Sequence, residues 1–240
     1  MSKELVVITG ASSGIGEATA KAFSLAGHPL LLLARRVERL EALELPSTMC
    51  EKVDVTDLDS FKSAVKKAEA KYGQVDCLVN CAGLMLLGNI DTQSPAEWKA
   101  MFDVNVMGVL NGVKSVISEM KARKGGTIVN ISSVAGRKTF PEHAAYCGTK
   151  FAVHAMTENI REEVCGSNVR LVTIAPGVVE TELLSHTTSD EIISGYNEFK
   201  KSMGSVLIPQ DIAGAIMFAY QQPQNVCVRE IVIAPTGQPQ

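Results

Sequence analysis

The chain has 240 residues, 46% of them hydrophobic and 20% charged, with a net charge of −3. That is the mixture of an ordinary globular protein, long enough to bury a sizeable core. The slight acidity and the dispersed Lys and Arg argue against a grip on nucleic acid or an anionic membrane, and neither partner is expected.

The opening "MSKELVVITG" runs directly into a strand pattern. No secretory leader is read there, so a reduced, cytoplasmic location is expected. "GIGEATAKAFSLAG" follows as a helix, with Ile15, Ala18, Ala22 and Leu25 at helical spacing before Gly27. "PLLLLAR" reads as a second strand, too short to span a bilayer, and "CEKVDV", around Val53 to Val55, as a third. "DLDSFKSAVKKAEAKYG" places Phe61, Val65, Ala68 and Tyr72 on one face and stops at Gly73. Further buried-type strands are "VDCLVN", "GTIVNIS" and "VRLVTIA", with a weaker last one near "REIVIA". Helical stretches at 94–123, 146–165 and 209–221 separate them.

Repeated β-α-β units with continuously apolar strands predict an α/β fold. Its expected form is a doubly wound, Rossmann-type parallel sheet of about seven strands with helices on both faces, three layers in one domain over 1–240. The segment 182–208 is polar and glycine-punctuated, fits the alternation worst, and is expected to be a lid over the substrate site. Six cysteines at 50, 77, 81, 147, 165 and 227 form no C-x-x-C pair. Most are expected to be small buried hydrophobes, and no metal site is expected.

Two local patterns carry chemistry. "TGASSGIG" sets Gly10, Gly14 and Gly16 between the first strand and the first helix, where glycines let backbone approach a pyrophosphate at the helix N-terminus. "AAYCGTKFAV" sets Tyr146 and Lys150 one helical turn apart, so that phenol and ammonium share a face. A cation beside a phenol favours phenolate, and Lys150 is expected to lower the Tyr146 pKa.

Together with "NCAG" at 80–83, Asn105 in "NVMG", Ser133 in "NISSVAG" and the Pro176–Gly177 pair, these motifs resemble the short-chain dehydrogenase/reductase superfamily over nearly the whole chain. The resemblance implies a catalytic set of Ser133, Tyr146, Lys150 and Asn105. Ser133 is chosen over Ser132 because it precedes Tyr146 by the family's 13 residues. By the same resemblance Gly10, Ser12, Ser13, Gly14, Ile15, Gly16, Asp54, Val55, Asn80, Ala82, Gly83, Pro176, Gly177, Val179 and Thr181 contact a dinucleotide, as do Tyr146 and Lys150. Asn105 would position a water linking Lys150 to solvent. Cys81 departs from the family's usual asparagine and puts a turn-stabilising contact in doubt. Homotetramers or homodimers are common in the family.

Strand two ends at Ala34, followed by Arg35 and Arg36. Alanine offers no acceptor to a ribose 2′-hydroxyl, whereas guanidinium groups suit a 2′-phosphate, so NADP(H) is the expected cofactor. Tyr146 would then be the general acid or base of hydride transfer between the nicotinamide and a small carbonyl or alcohol. Met85, Leu87, His143, Leu183 and Leu184 are candidates for the substrate pocket. "RKTFPEHAAYCGTKFAVHA" and "TELLSHTTS" also look like the bacterial NADPH-binding "blue fluorescent" dehydrogenases. That closer likeness implies the alternative of a cofactor-binding sensor with little turnover.

Overall fold

The computed structural model describes residues 3–239. Strands β1 (Leu5–Thr9) and β2 (Leu30–Ala34) are buried at every position because the sheet is covered on both faces. They are joined by β3 (Thr48–Lys52), β4 (Val75–Asn80), β5 (Thr127–Ile131), β6 (Arg170–Pro176) and β7 (Glu230–Ile233). All pairings are parallel, in the order β3-β2-β1-β4-β5-β6-β7. The strand order reverses between β1 and β4, and in such sheets the crevice at the carboxyl ends of those strands is where ligands bind.

Strand alternation divides the core. Val6, Ile8, Leu30, Leu32, Val79 and Ile174 face α1 (Gly14–Leu25), α2 (Val37–Glu41) and α8 (Pro209–Gln221), where Phe23, Leu40, Ile212 and Ile216 meet them. Leu5, Val7, Leu31, Leu33, Leu78 and Ile128 face α3 (Leu58–Tyr72) and α5 (Gly108–Arg123), against Phe61, Val65, Val113 and Val116. Helix α3 starts cleanly because the Asp57 carboxylate accepts from the N–H groups of Asp59 and Ser60. A third apolar cluster joins α4 (Pro95–Phe102), α6 (Ala144–Val164) and α7 (Asp190–Ser202) through Met101, Tyr146, Cys147 and Ile192.

The structure corrects the expected elements in five places. Helix α1 buries Ala18 of the expected face, and also Gly16, Thr19, Ala20 and Phe23, whereas Leu25 is 92% exposed. The close packing of Gly16 described below sets that rotation. The third strand lies at Thr48–Lys52, because beyond it the Asp54 carboxylate accepts from the Thr56 N–H and hydroxyl and turns the chain. The helix expected over 94–123 is broken by a π-helical turn at Asp103–Met107. This run is long and apolar enough to cross a bilayer by composition, but Val109, Val113, Val116 and Met120 are buried in the core. Of the six cysteines, Cys77 and Cys147 are buried, Cys165 is exposed, and Cys50, Cys81 and Cys227 are half-buried. Residues 182–208, which fitted the alternation worst, contain a 3-10 turn at Glu182–His186 and all of α7.

Gly112 of α5 shows how closely helix and sheet approach. A Cβ there would lie 2.2 Å from Asn80 Oδ1, an atom that is buried and unpaired among the described residues. Gly112→Ala is therefore expected to destabilise the fold by roughly 1–3 kcal/mol through overpacking. Urea denaturation should show a lower midpoint at unchanged slope; an unchanged midpoint would refute the contact.

Candidate active site

The glycine turn brings three backbone segments into contact. Gly10 has φ of +64°, and a Cβ on it would come within 2.7 Å of the Ala82 Cα. A Cβ on Gly16 would come within 2.3 Å of the Gly10 carbonyl oxygen. Only glycine fits either place. The N-cap of α1, Ser13, makes no side-chain cap, and Gly14, Ile15 and Gly16 line a large cavity at the sheet's switch point. The first-turn N–H groups of a 12-residue helix thus border that cavity, a fit for a pyrophosphate.

Beyond β2, Arg35 and Arg36 both line the cavity. Arg36 donates to the Ser12 and Ser13 hydroxyls at 3.3 and 3.1 Å, and to Glu182 at 3.1 Å. Arg39, which sequence reading overlooked, donates to the same carboxylate at 2.9 Å. The two guanidiniums hold the Glu182 carboxyl below its usual range. Asp54 and Val55, beyond the end of the neighbouring β3, also line the cavity. Hydrogen bonds from Thr56 lower the Asp54 pKa, with a smaller contribution from Arg35.

At the end of β4, the Thr9 hydroxyl accepts from the N–H groups of both Cys81 and Ala82 at 3.0 Å. These bonds hold the turn in which Cys81 stands, and Cys81, Ala82 and Gly83 line the cavity. Asn80 does not line it. Its Nδ2 donates to Asn130, and Asn130 in turn donates to Thr157 of α6. Asn80 has the parity of Leu78, on the α5 face of the sheet, so its side chain acts as a strut between sheet and helix.

Tyr146 and Lys150 meet on one face of α6, with the Lys150 Nζ 5.6 Å from the Tyr146 ring centroid. Lys150 donates to the Ile131 carbonyl at 3.0 Å. Ser133 faces the phenol, and its hydroxyl also donates to the Pro176 carbonyl at 3.3 Å. Ser132 points the other way, donating to the Lys150 carbonyl at 3.1 Å and lying 2.8 Å from His154 Nδ1. His154 continues to Glu230 of β7, tying the catalytic helix to the sheet edge. Asn105 sits on the π turn, and both of its N–H bonds are used, on the Leu84 carbonyl and the Thr149 hydroxyl. Its Oδ1 accepts from the Leu84 N–H. The Asn105 side chain therefore clamps the β4 loop to α6.

The electrostatics differ from expectation. Burial pushes the Tyr146 phenol well above the usual tyrosine range, and the nearby Tyr196 adds to the rise; Ser133 opposes it only in part. Lys150 does not bring the phenol down, because its ammonium sits over the ring and is itself desolvated, which draws its pKa down to about 8. The cavity wall thus combines a neutral acid with a lysine that is still cationic at neutral pH.

The remaining wall comes from the segment after β6. Gly177 donates to the Ile233 carbonyl at 2.7 Å, and Gln238 accepts from the Val178 N–H at 2.9 Å. Val179 pairs with Leu207 just beyond β6, so the residues between them form a strap that returns to the place it left. Within this strap Thr187 accepts from the Leu87 N–H at 3.1 Å. Met85, His143, Leu183 and Leu184 line the cavity together with Pro176, Val179 and Thr181, whereas Leu87 packs in the cluster behind it. Sequence reading missed Phe140, Glu142, Tyr196 and Phe199, which also line it. Ile192, Tyr196 and Phe199 stand at i, i+4 and i+7, a helical stripe that was readable.

A phenol whose folded pKa is raised keeps its proton when the unfolded phenol begins to lose it near pH 10. The linked stability is full below that pH and falls above it. In the free protein, tyrosinate absorbance of wild type and Tyr146→Phe should therefore coincide up to pH 10. A wild-type step at lower pH that the variant lacks would overturn the buried, neutral assignment.

Comparison with known proteins fits this geometry. The short chain dehydrogenase family profile matches residues 4–192. An uncharacterised oxidoreductase of Staphylococcus saprophyticus is 41% identical over 98% of this chain and 97% of its own length. A glycine betaine reductase of Emericella nidulans is 39% identical over 100% of this chain, which spans 19% of that longer protein. Among solved structures, the closed form of a serine dehydrogenase complexed with NADP+ superposes with a TM-score of 0.92 at 28% identity, covering 98% of this chain and 96% of that one. An alcohol dehydrogenase from the archaeon Thermococcus sibiricus, complexed with 5-hydroxy-NADP, gives 0.86 at 29% identity and 99% coverage of both. Parallel sheet, glycine turn and full-length likeness together make this chain an oxidoreductase of the short-chain dehydrogenase/reductase superfamily.

Proposed function

We propose that this chain is an NADP(H)-dependent oxidoreductase acting on small carbonyl and alcohol substrates, with Tyr146 as general acid and base. The observation that carries the reading is convergence. Ser133, Tyr146 and Lys150 line the same cavity of about 610 Å³ as the glycine turn and the Arg35–Arg36 pair. The NADP-bound neighbours support the cofactor, and the names of two similar proteins, glycine betaine reductase and serine dehydrogenase, carry small nitrogen-bearing substrates.

When bound, the reduced nicotinamide supplies a hydride to the carbonyl carbon. The chain's own groups manage the oxygen. Tyr146 Oη gives its proton to the carbonyl oxygen in reduction and takes one from the alcohol in oxidation. Ser133 turns its hydroxyl from the long bond to Pro176 onto that oxygen and stabilises the developing charge. Lys150 holds a positive charge beneath the phenol and can feed it a proton. Intact Ser133, Tyr146 and Lys150 weigh against a sensor without turnover, since cofactor binding alone does not need an acid. Residues 182–208 serve as the substrate lid, pinned at Thr187 and at the Val179–Leu207 pairing.

Arg36 is the group best placed for a 2′-phosphate, with Arg35 beside it and the Ser12 and Ser13 hydroxyls fixing its fork. Its ion pair with Glu182 is about half exposed, so a phosphate can displace that carboxylate at little loss.

Two measurements test the reading. Tyr146→Phe removes the proton and keeps the ring, so turnover should fall at least ~10²-fold with NADPH binding retained. Near-normal turnover of any accepted carbonyl would sink the acid assignment. Arg36→Ala should weaken NADPH binding by roughly 1.5–3 kcal/mol and leave NADH nearly unchanged. Glu182→Gln should tighten NADPH. Calorimetric titration of both cofactors reads these effects, and equal losses for NADH and NADPH would rule out the 2′-phosphate contact.

A further inference from the structure

The half of the cavity beyond Tyr146 has a definite chemical bias. Among the described residues its one lysine or arginine there, Lys200, is already paired with Glu180 at 2.6 Å. The other cavity-lining cations, Arg35, Arg36 and Lys150, belong to the cofactor side. A substrate carboxylate would find no free counter-charge. What the wall does offer is aromatic faces. The His143 and Tyr196 rings lie 6.4 Å apart at 29°, Phe199 is 6.4 Å beyond Tyr196, and His143 is 6.2 Å from Tyr146 itself.

Glu142 lies beside these rings, on the same wall. It is held at φ of +64°, a strained conformation for a non-glycine residue, and the Gly88 N–H fixes it there by donating to its carbonyl at 3.0 Å. Glu142 lines the cavity, and its carboxylate has no ion-pair or hydrogen-bond partner among the described residues. His143 Nδ1 lies 2.6 Å from the Pro141 carbonyl, which assigns the proton to that nitrogen and leaves Nε2 as an acceptor. An unpaired carboxylate among aromatic rings is the environment that takes a cation.

The geometry points to a substrate that is a small aldehyde, or its alcohol, bearing a quaternary ammonium on the carbon next to the reacting one. The carbonyl oxygen meets Tyr146 and Ser133, and the ammonium rests against His143 and Tyr196 with Glu142 as counter-charge. A quaternary nitrogen fits better than a primary one. It brings no N–H donors and presents a methyl surface to the ring faces, whereas a primary ammonium would exchange part of its hydration for aromatic carbon. This inference rests on the carbonyl-reductase reading above and specifies its substrate.

The test compares trimethylammonioacetaldehyde with 3,3-dimethylbutanal, which has the same shape and no charge. With NADPH in excess, kcat/KM should favour the charged aldehyde by about tenfold. Glu142→Gln and Tyr196→Leu should each shrink that ratio several-fold, and because the ratio is compared between variants, differences in aldehyde hydration cancel. Glu142→Asn, which tolerates positive φ, is the second variant should glutamine disturb the turn. Tetramethylammonium, observed by saturation-transfer NMR on the protein without substrate, should bind to wild type and lose binding in Glu142→Gln. Equal rates for the two aldehydes, with a ratio unmoved by Glu142→Gln, overturn the ammonium assignment and leave the reductase standing. Turnover of neither aldehyde, nor of any other carbonyl, overturns the reductase, and the tetramethylammonium result then decides the ammonium site on its own.

Discussion

The structure depends on a stack of three backbones at the point where the strand order reverses. Gly16 of α1 rests on the Gly10 carbonyl, and Gly10 rests on Ala82 after β4. No side chain separates them, so the helix N-terminus and two strand ends are fixed to within a fraction of an ångström. The first-turn N–H groups of α1 are thereby aimed into the crevice. The same contact sets the roll of α1, which sends Phe23 into the core against Tyr220 and His28 and leaves Leu25 in water. A helical pattern read in isolation cannot weigh that contact. This is why the spacing that correctly held Ile15 and Ala18 against the core failed at Leu25.

From this anchor the site divides into two kinds of construction. The cofactor half is built from backbone and short side chains, and its motifs are contiguous in sequence: the glycine turn, "NCAG", Tyr146 to Lys150, Pro176–Gly177. Such patterns are legible because the geometry they impose is local. Asn80 shows where local reading stops. It belongs to a recognisable turn motif, yet strand parity places it on the α5 face, with Asn130 and Thr157 as partners. Counting alternation from Leu78 would have shown this; matching the motif did not. The π turn that carries Asn105 is likewise invisible to a 3.6-residue pattern, which reads 94–123 as one helix.

The Tyr146–Lys150 pair shows a deeper limit. Sequence spacing places the two on one face, and they do share it. Spacing says nothing of how much water surrounds them. Once both are buried, desolvation outweighs their mutual attraction, raising the phenol and lowering the ammonium to about 8. The sign of a pKa shift is therefore a tertiary property. For an acid that holds its proton until a carbonyl accepts it, the role proposed for Tyr146, a raised pKa is compatible with the task, and the pair would then work as donor and charge reservoir together.

The substrate half follows the opposite logic. Residues between Val179 and Leu207 form a strap whose two ends pair with each other outside the seven-stranded sheet, so its length and side chains can change without moving any strand. Glu182 at the strap's start touches Arg36 and Arg39 on the cofactor side, while Tyr196 and Phe199 further along face the substrate side. One segment thus contacts both ligands' regions through side chains alone. Displacing Glu182 from Arg36 would loosen the start of the strap, whereas contacts with Tyr196 hold its middle against Tyr146. Both regions can therefore be contacted by a single segment without any rearrangement of the sheet. That separation lets a rigid, backbone-built cofactor cradle coexist with a substrate wall whose chemistry is set by a handful of replaceable side chains.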